Sequence, residues 1–291
     1  MAIGAELDVL SGLHETHETV YGSAPLGCLP MWLASVNGTV TPVGEARIPV
    51  SDEGLLRGDG GFEVLRVYGG RPFALNDHFA RLAHTCAGLR LEADLDAFRA
   101  EALAVVKEPE SLLRLVVTRG GHRIAIGEPL PPRPPVARVA TVTYVPTRVL
   151  NGLKTLSYAA NMLAGRLAKE QGADEALLVT PHGRVLEGPT WTFFWVAGGR
   201  LHTPPLSEGI LDSITRRRLL EECAVTEAPC TLDDVRAAEE AFIASSVREV
   251  MPIAAVDDIE LPFAPGRVTE AAHAAFTRRV AHELAQQAAP A

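Results

Sequence analysis

Four glycine-bearing turns set the first limit on how this chain folds. Asn37-Gly38 sits between the β-rich runs MWLASV and TVTPV, and Gly69-Gly70 lies between GFEVLRVY and RPFAL. His182-Gly183 joins EALLVTP to RVLEG, and Gly198-Gly199 joins TFFWVA to RLHTPP. Two-residue turns of this kind connect antiparallel strands, because Gly and Asn accept the left-handed backbone that matches strand twist. A chain that spends its strands in hairpins is not a doubly wound nucleotide fold, in which strands and helices alternate strictly. The glycine-rich string RGDGGFEV enters a strand rather than opening a helix, so it does not read as a dinucleotide loop.

Helices are expected between the hairpins. NDHFARLAHTCAGLRL reads as one, with Asn76 or Asp77 as its cap and Phe79, Leu82, Ala83 and Cys86 as an apolar stripe. A second spans roughly 94–107, and SLLRLVVTRGG after it is a strand ending in a glycine turn. PLPPRPP excludes helix and reads as an exposed connection. TLSYAANMLAGRLAKEQG is a helix with Leu156, Ala160, Leu163 and Leu167 along one side and Gly172 at its stop. Another runs from near Ser213 through Leu220, AEEAFIASSVREVMPI is mainly strand, and 267–288 form a terminal helix. The expected architecture is α/β, of an α+β-like kind. It has an N-terminal extension over 1–30, an α/β domain over 31–146, a linker over 147–152 and a hairpin-rich domain over 153–291.

Composition narrows the function classes. The chain has 291 residues, 47% hydrophobic and 22% charged, with a formal net charge of −9. That supports a sizeable core and argues against binding to nucleic acid or an anionic membrane. The cysteines Cys28, Cys86, Cys223 and Cys230 form no CxxC pair and read as reduced thiols of a cytoplasmic protein. The start MAIGAELDVL has neither a basic n-region nor an apolar core, and no apolar run is long enough for a bilayer. In HETHET, His14 and His17 stand three apart rather than the four of HExxH, so no metal is expected.

Lys154 stands at the junction of the halves, between VLNG and TLSYAANML. Taken alone it fits a surface lysine capping a loop. Its surroundings decide otherwise. DEGLLRGDGGFEVLRVYGGRPFALNDHFARL, LKTLSYAANMLAGRLAKEQGADEALLV, GRVLEGPTWTFFWVAGGRLHTPPLSEGILDSITR and SSVREVMPI follow one another in the chain. In that order they resemble the fold-type IV pyridoxal 5′-phosphate (PLP) enzymes, the class IV aminotransferases. That family includes branched-chain and D-amino acid aminotransferases and aminodeoxychorismate lyases. The resemblance covers about residues 33 to 280 and implies a two-domain fold with a smaller N-terminal and a larger C-terminal domain.

It also implies roles. Lys154 would carry PLP as a Schiff base and move the α-proton. Glu187 would pair with the pyridine nitrogen, since PLP draws electrons only while that nitrogen stays protonated. Arg81 would hold the phosphate with the segment Ile214–Thr215, Leu211 would pack on the ring, and Ser246 would add a phosphate contact. Tyr158 would reach the cofactor's phenolic oxygen. Simpler readings stand beside these: an Asp77-paired surface arginine for Arg81, a helix cap for Thr215, a strand hydroxyl for Ser246, a turn glutamate for Glu187, a core tyrosine for Tyr158. A substrate carboxylate needs a cation, and Arg66, His122 and Arg123 are the candidates. GGFEVLRVYGG and SSVREVMPI favour a ping-pong aminotransferase passing the amino group of a small amino acid or amine to a 2-oxo acid. Pro189, Thr192 and Ser213 depart from the aminotransferase pattern and keep aminodeoxychorismate lyase as the alternative. A non-catalytic PLP scaffold ranks behind both, and the family implies a homodimer.

Overall fold

The computed structural model describes residues 32–287, so the expectations for residues 1–30 and for Met31 lie outside it. The first hairpin forms as expected, from β1 (Leu33–Val36) and β2 (Thr39–Pro42). Asn37 and Gly38 both take positive φ, 48° and 87°, as a type I′ turn requires. A short α1 (Glu53–Arg57) leads into β3 (Gly60–Tyr68), which turns through Gly69-Gly70 to β4 (Arg71–Pro72). Then come α2 (Leu75–Leu89), α3 (Leu95–Ala104), β5 (Ser111–Thr118) and β6 (Arg123–Glu128). These six strands make one sheet in the order β2-β1-β6-β5-β3-β4. Period-2 alternation divides its faces. Leu65, Val67, Leu113, Leu115 and Val117 pack with Phe79, Leu82 and Phe98 of α2 and α3. Val64, Leu112, Arg114 and Val116 face the other way.

The proline-rich run 129–136 leads to β7 (Ala137–Thr143), which pairs in parallel with strands of the second sheet. After a 3-10 turn at Arg148–Leu150 come α4 (Ala159–Glu170), β8 (Glu175–Val179), β9 (Arg184–Val185), β10 (Thr192–Ala197) and β11 (Arg200–Thr203). The chain continues through α5 (Ile214–Glu222), β12 (Val225–Glu227), β13 (Cys230–Thr231) and α6 (Leu232–Arg236). It ends in β14 (Glu240–Ser245), β15 (Glu249–Val256), β16 (Ile259–Glu260) and α7 (Arg267–Gln287). The second sheet has ten strands, with β10, β14, β15, β7 and β8 at its middle and β16 beside β15. One face buries Trp191, Phe193, Ile243 and Ile253. The other buries Phe194, Phe242, Ile214 and Phe276 under α5 and α7, and Phe73 from the first half of the chain joins this cluster. Among the described residues no helix is long and apolar enough to cross a membrane.

Three local expectations are corrected. Neither Asn76 nor Asp77 caps α2: Ala74, in a left-handed conformation, precedes the helix, and Asp77 instead meets Arg218 of α5. Its buried face is not purely apolar, because His78, Arg81 and Thr85 lie inside with Phe79, Leu82 and Cys86, and Ala83 is exposed. Helix α4 starts at Ala159 and buries the small residues Ala164 and Ala168, while Leu163 and Leu167 remain 49% and 37% exposed. Small side chains let the helix lie close on β7 and β8, which rotates the larger apolar side chains outward.

Glu240, 4% exposed, accepts hydrogen bonds from Val268 N at 3.1 Å and Thr269 N at 2.7 Å, so a strand carboxylate closes the first turn of α7. Glu240→Ala is expected to lower stability by about 1–3 kcal/mol, because two helix amides lose a charged acceptor. Urea denaturation measures this, and an unchanged midpoint would refute the capping role.

Candidate active site

Lys154 is positioned by backbone. Residues 154–156 run antiparallel to the start of β3: Phe62 N donates to Lys154 O at 3.0 Å, Leu156 N donates to Gly60 O at 2.8 Å, and Gly61 bridges Thr155. Lys154 N also donates to Thr85 Oγ1 of α2 at 3.2 Å. Close approach requires the glycines. A Cβ on Gly60 would sit 2.5 Å from Val117 O and 2.6 Å from a Leu156 methyl carbon, and one on Gly61 would lie 2.8 Å from the Thr85 methyl. The string RGDGG therefore serves the docking of the lysine segment. Lys154 Nζ sits 4.4 Å above the Phe62 ring and 5.7 Å from the Tyr158 ring. The chain's other lysines, Lys107 and Lys169, are exposed. Desolvation, then the nearby Arg81 guanidinium, lowers the Lys154 amine to a pKa of about 8, against the pull of Glu63 and Glu187.

Arg81 is not paired with Asp77. Glu63, fully buried on β3, takes the Nε–H at 2.7 Å and one Nη2–H at 2.7 Å, and the Asp212 carbonyl takes one Nη1–H at 2.9 Å. A guanidinium has five N–H groups, so one on Nη1 and one on Nη2 remain, side by side on the end edge. Although burial acts against ionisation, Arg81 and hydrogen bonds from it and His78 hold the Glu63 carboxyl down at about 2. His78 Nδ1 lies 2.8 Å from Glu63 Oε2. Desolvation keeps that imidazole neutral, so Nδ1–H donates to the ionised Glu63, and the buried Nε2 has no partner. Asp212 also brings Arg81 to the start of α5. Ser213 caps that helix by accepting Arg216 N at 3.3 Å. The Ile214 and Thr215 amides belong to the open first turn, which cannot bond within the helix. The buried Thr215 Oγ1 has no hydrogen-bond partner.

Glu187 lies on the segment between β9 and β10. Gly188 beside it admits the Trp191 ring, which would stand 1.9 Å from a Cβ there. The Glu187 Oε1 accepts Leu211 N at 3.0 Å. Desolvation pushes its carboxyl up to about 8, because the Leu211 amide and the charges of Lys154 and Arg81 offset only part of the burial cost. A desolvated acid with one amide for company is half of a charge pair. The missing half is a cationic N–H such as a pyridinium.

These groups share one cavity of about 470 Å³. Lys154, Arg81, Tyr158, Glu187, Leu211 and Ser246 line it, while Ile214 and Thr215 are buried immediately behind Ser213. The Tyr158 hydroxyl donates to Pro189 O. The structure does not bring the expected carboxylate ligands to the cavity wall. Arg66 has the cavity-facing parity on β3 but lies further along, where it meets Glu249 at 2.9 Å and covers the Tyr68 ring. His122 Nδ1 is 2.5 Å from the buried Asp52, and Arg123 pairs with Glu101 at 2.7 Å. Two arginines that the sequence reading passed over do line the cavity, Arg114 and Arg248. A lone cation in the apolar strand SLLRLVV is the signal for Arg114, since its parity separates it from Leu113 and Leu115. Arg248 carries no comparable signal.

An arginine edge, a helix start and an unpaired hydroxyl on one side fit a phosphate, and Glu187 with Lys154 fits a pyridine ring carrying an aldehyde. The residues present therefore fit the cofactor that the resemblance implies. The family model described as "Amino-transferase class IV" matches residues 60–256. A putative branched-chain-amino-acid aminotransferase of Methanocaldococcus jannaschii is 34% identical over 76% of this chain and 87% of its own length. An aminodeoxychorismate lyase of Bacillus subtilis is 25% identical over 84% of this chain and 94% of its own. Among solved structures, the fold IV-transaminase CpuTA1 of Curtobacterium pusillum superposes with a TM-score of 0.77 at 28% identity, over 87% of this chain and 100% of that one.

In the cofactor-free chain, Lys154 is expected to react with an amine-selective reagent with a midpoint near pH 8. Below that pH its amine holds a proton and is inert; above it the free amine attacks, whereas an ordinary exposed lysine needs a pH near ~10.4. Peptide mass spectrometry across a pH series reads the midpoint for this residue. A midpoint near that of an ordinary lysine would contradict the desolvation.

Proposed function

The chain belongs to the amino-transferase class IV family, and from this we propose that it is a PLP-dependent aminotransferase. It passes the amino group of a small amino acid or amine to a 2-oxo acid in two half-reactions of a ping-pong cycle. The observation that carries this is that Lys154, Glu187 and Arg81 line one cavity, the amine and the acid both desolvated there.

PLP, when bound, withdraws electrons from the carbon that bears the substrate's amino group, so that its C–H bond ionises. The protein's residues do the rest. Lys154 Nζ would anchor the cofactor and, once free, take the proton from that carbon and deliver it to the cofactor, the proton shift that leaves the amino group on the cofactor and releases the oxo acid; an amine near pKa 8 can do both at neutral pH. Glu187 keeps the ring nitrogen protonated. The end edge of Arg81, the first amides of α5 and the Thr215 hydroxyl hold the phosphate, with Ser246 beside them. Leu211 packs against the ring, and the Phe62 and Tyr158 rings exclude water around Nζ.

A second reading, aminodeoxychorismate lyase, is supported by Pro189, by Ser213, and by Thr192, whose cavity-lining hydroxyl is buried without a partner. We propose further that the enzyme is a cytoplasmic homodimer. Supporting this are the free thiols Cys86, Cys223 and Cys230 and the exposed apolar residues Leu55, Leu56, Val149, Leu163 and Leu167. Light scattering should give twice the chain mass, and Leu163→Glu with Leu167→Glu should shift it toward the monomer.

The activity is tested by single-turnover spectra of PLP-loaded protein with L- and D-amino acids and simple amines. An aminotransferase converts the cofactor band to the pyridoxamine form, and pyruvate or 2-oxoglutarate restores it. Pyruvate release from aminodeoxychorismate with no such conversion by any donor would establish the lyase. Lys154→Ala should abolish borohydride-fixed cofactor, and Glu187→Gln should slow turnover by roughly 10²-fold or more through loss of the ring-nitrogen proton. Cofactor fixed at another lysine would overturn the assignment.

A further inference from the structure

Arg218 is a buried cation that does not line the cofactor cavity. It lies on α5, four residues beyond Ile214, and is 8% exposed. Its Nη2 donates to Asp77 Oδ2 of α2 and, at 3.3 Å, to Glu283 Oε2 of α7. Its Nε lies 2.6 Å from the other Glu283 oxygen, and Nη1 stands 3.7 Å from Glu221 of α5 itself. Taking a guanidinium out of water is costly, and here acids from three helices offset that cost.

The position of this arginine matters more than its charge. Asp77 precedes Arg81 by four residues on α2, as Ile214 precedes Arg218 on α5. Residues four apart lie one above the other on a helix face. The two helices are therefore joined by two rungs about one turn apart. Arg81 Nη1 donates to Asp212 O at 2.9 Å, just ahead of α5, and Arg218 meets Asp77 one turn further in. One rung alone would leave the helices free to pivot about it; two fix their angle. The third helix braces the joint. Arg71, ahead of α2, donates from Nη1 to Leu284 O of α7 at 2.6 Å, and Phe73 packs edge-on against Phe276.

On the proposed reading, on which this inference rests, the cofactor phosphate is held from both helices. The end edge of Arg81 reaches it from α2, and the first amides and the Thr215 hydroxyl reach it from α5. Those donors converge on one phosphate only at one setting of the two helices. We propose that Arg218 is a positioning residue for this phosphate cradle, and that its bond to Asp77 sets the angle between α2 and α5. Its loss is expected to weaken the hold on the phosphate and not the hold on the ring.

The test uses the full-length chain as wild type, as Arg218→Met, which keeps the bulk of the side chain, and as Asp77→Asn, a milder change at the end of the pair that is 36% exposed. Each holoenzyme is stripped of cofactor with phenylhydrazine and titrated with PLP and with pyridoxal, which lacks the phosphate. The preference for PLP over pyridoxal should fall about tenfold in Arg218→Met and by less in Asp77→Asn, with the pyridoxal Kd near its wild-type value. The double variant should lose no more than Arg218→Met, because the rung is already broken. Arg279→Ala is the control for general loosening. Arg279 pairs with Glu221 at 2.8 Å, Glu222 at 2.9 Å and Glu283, but with no described residue of α2. Its loss should lower the urea midpoint and leave the preference unchanged. A preference unchanged in Arg218→Met, or lowered equally by Arg279→Ala, overturns the positioning role; should Arg218→Met not fold, Asp77→Asn decides in the same way. Either result leaves the aminotransferase reading standing. A wild type that binds pyridoxal as tightly as PLP overturns the phosphate assignment itself, and this role with it.

Discussion

Two hydrogen bonds between residues 154–156 and the first residues of β3 decide where the chemistry sits. They join a segment that precedes the second group of helices to a strand of the first sheet, and they fix the backbone of Lys154 rather than its side chain. The joint requires bare backbone, because side chains at 60 or 61 would collide with Val117 O or with Thr85. Once the joint is made, Phe62 and Tyr158 must flank Nζ, and the amine loses water on both sides. Its lowered pKa is thus first a consequence of strand pairing, to which the charge of Arg81 adds.

The arginines of the cavity follow one pattern. Each is paired with a carboxylate that does not line the cavity: Glu63 with Arg81, Glu128 with Arg114, Glu175 with Arg248. The pairing fixes each fork and partly neutralises it, so its selectivity comes from direction as much as from charge. Glu187 is the exception. It faces the cavity without a cation of its own, and burial raises it to about 8. A cationic ring nitrogen arriving there relieves that cost, while neutral analogues would leave it in place. Lys154 and Glu187 are therefore tuned in opposite senses by the same desolvation, the one toward the free amine and the other toward the protonated acid.

Much of this was legible in the residues. The glycine turns give the hairpins because a positive φ is a local property, and Asn37-Gly38 satisfies it without help from the rest of the fold. The ordered motifs around Lys154, Arg81 and Glu187 pointed to one cavity, and those three side chains do share it. The misread features are those whose partners lie far along the chain. Asp77 is a cap by composition but meets Arg218, 141 residues later. Leu163 and Leu167 look like a core stripe, yet the close fit on the sheet favours Ala164 and Ala168. His122 and Arg123 resemble anion ligands, yet Asp52 and Glu101 had already claimed them.

The sequence by itself determined the hairpins, the five longer helices to within a few residues, the family and the chemical identity of the anchor lysine, because these depend on local backbone preference and on residue types in fixed order. Only the tertiary structure decided that β7 joins the second sheet, that Glu63 leaves Arg81 with just its end edge, and that Arg114 and Arg248 rather than Arg66 and Arg123 face the cavity. The reason is physical: a side chain's availability depends on which partners reach it first, and those partners are brought together by packing between segments that the linear order keeps apart.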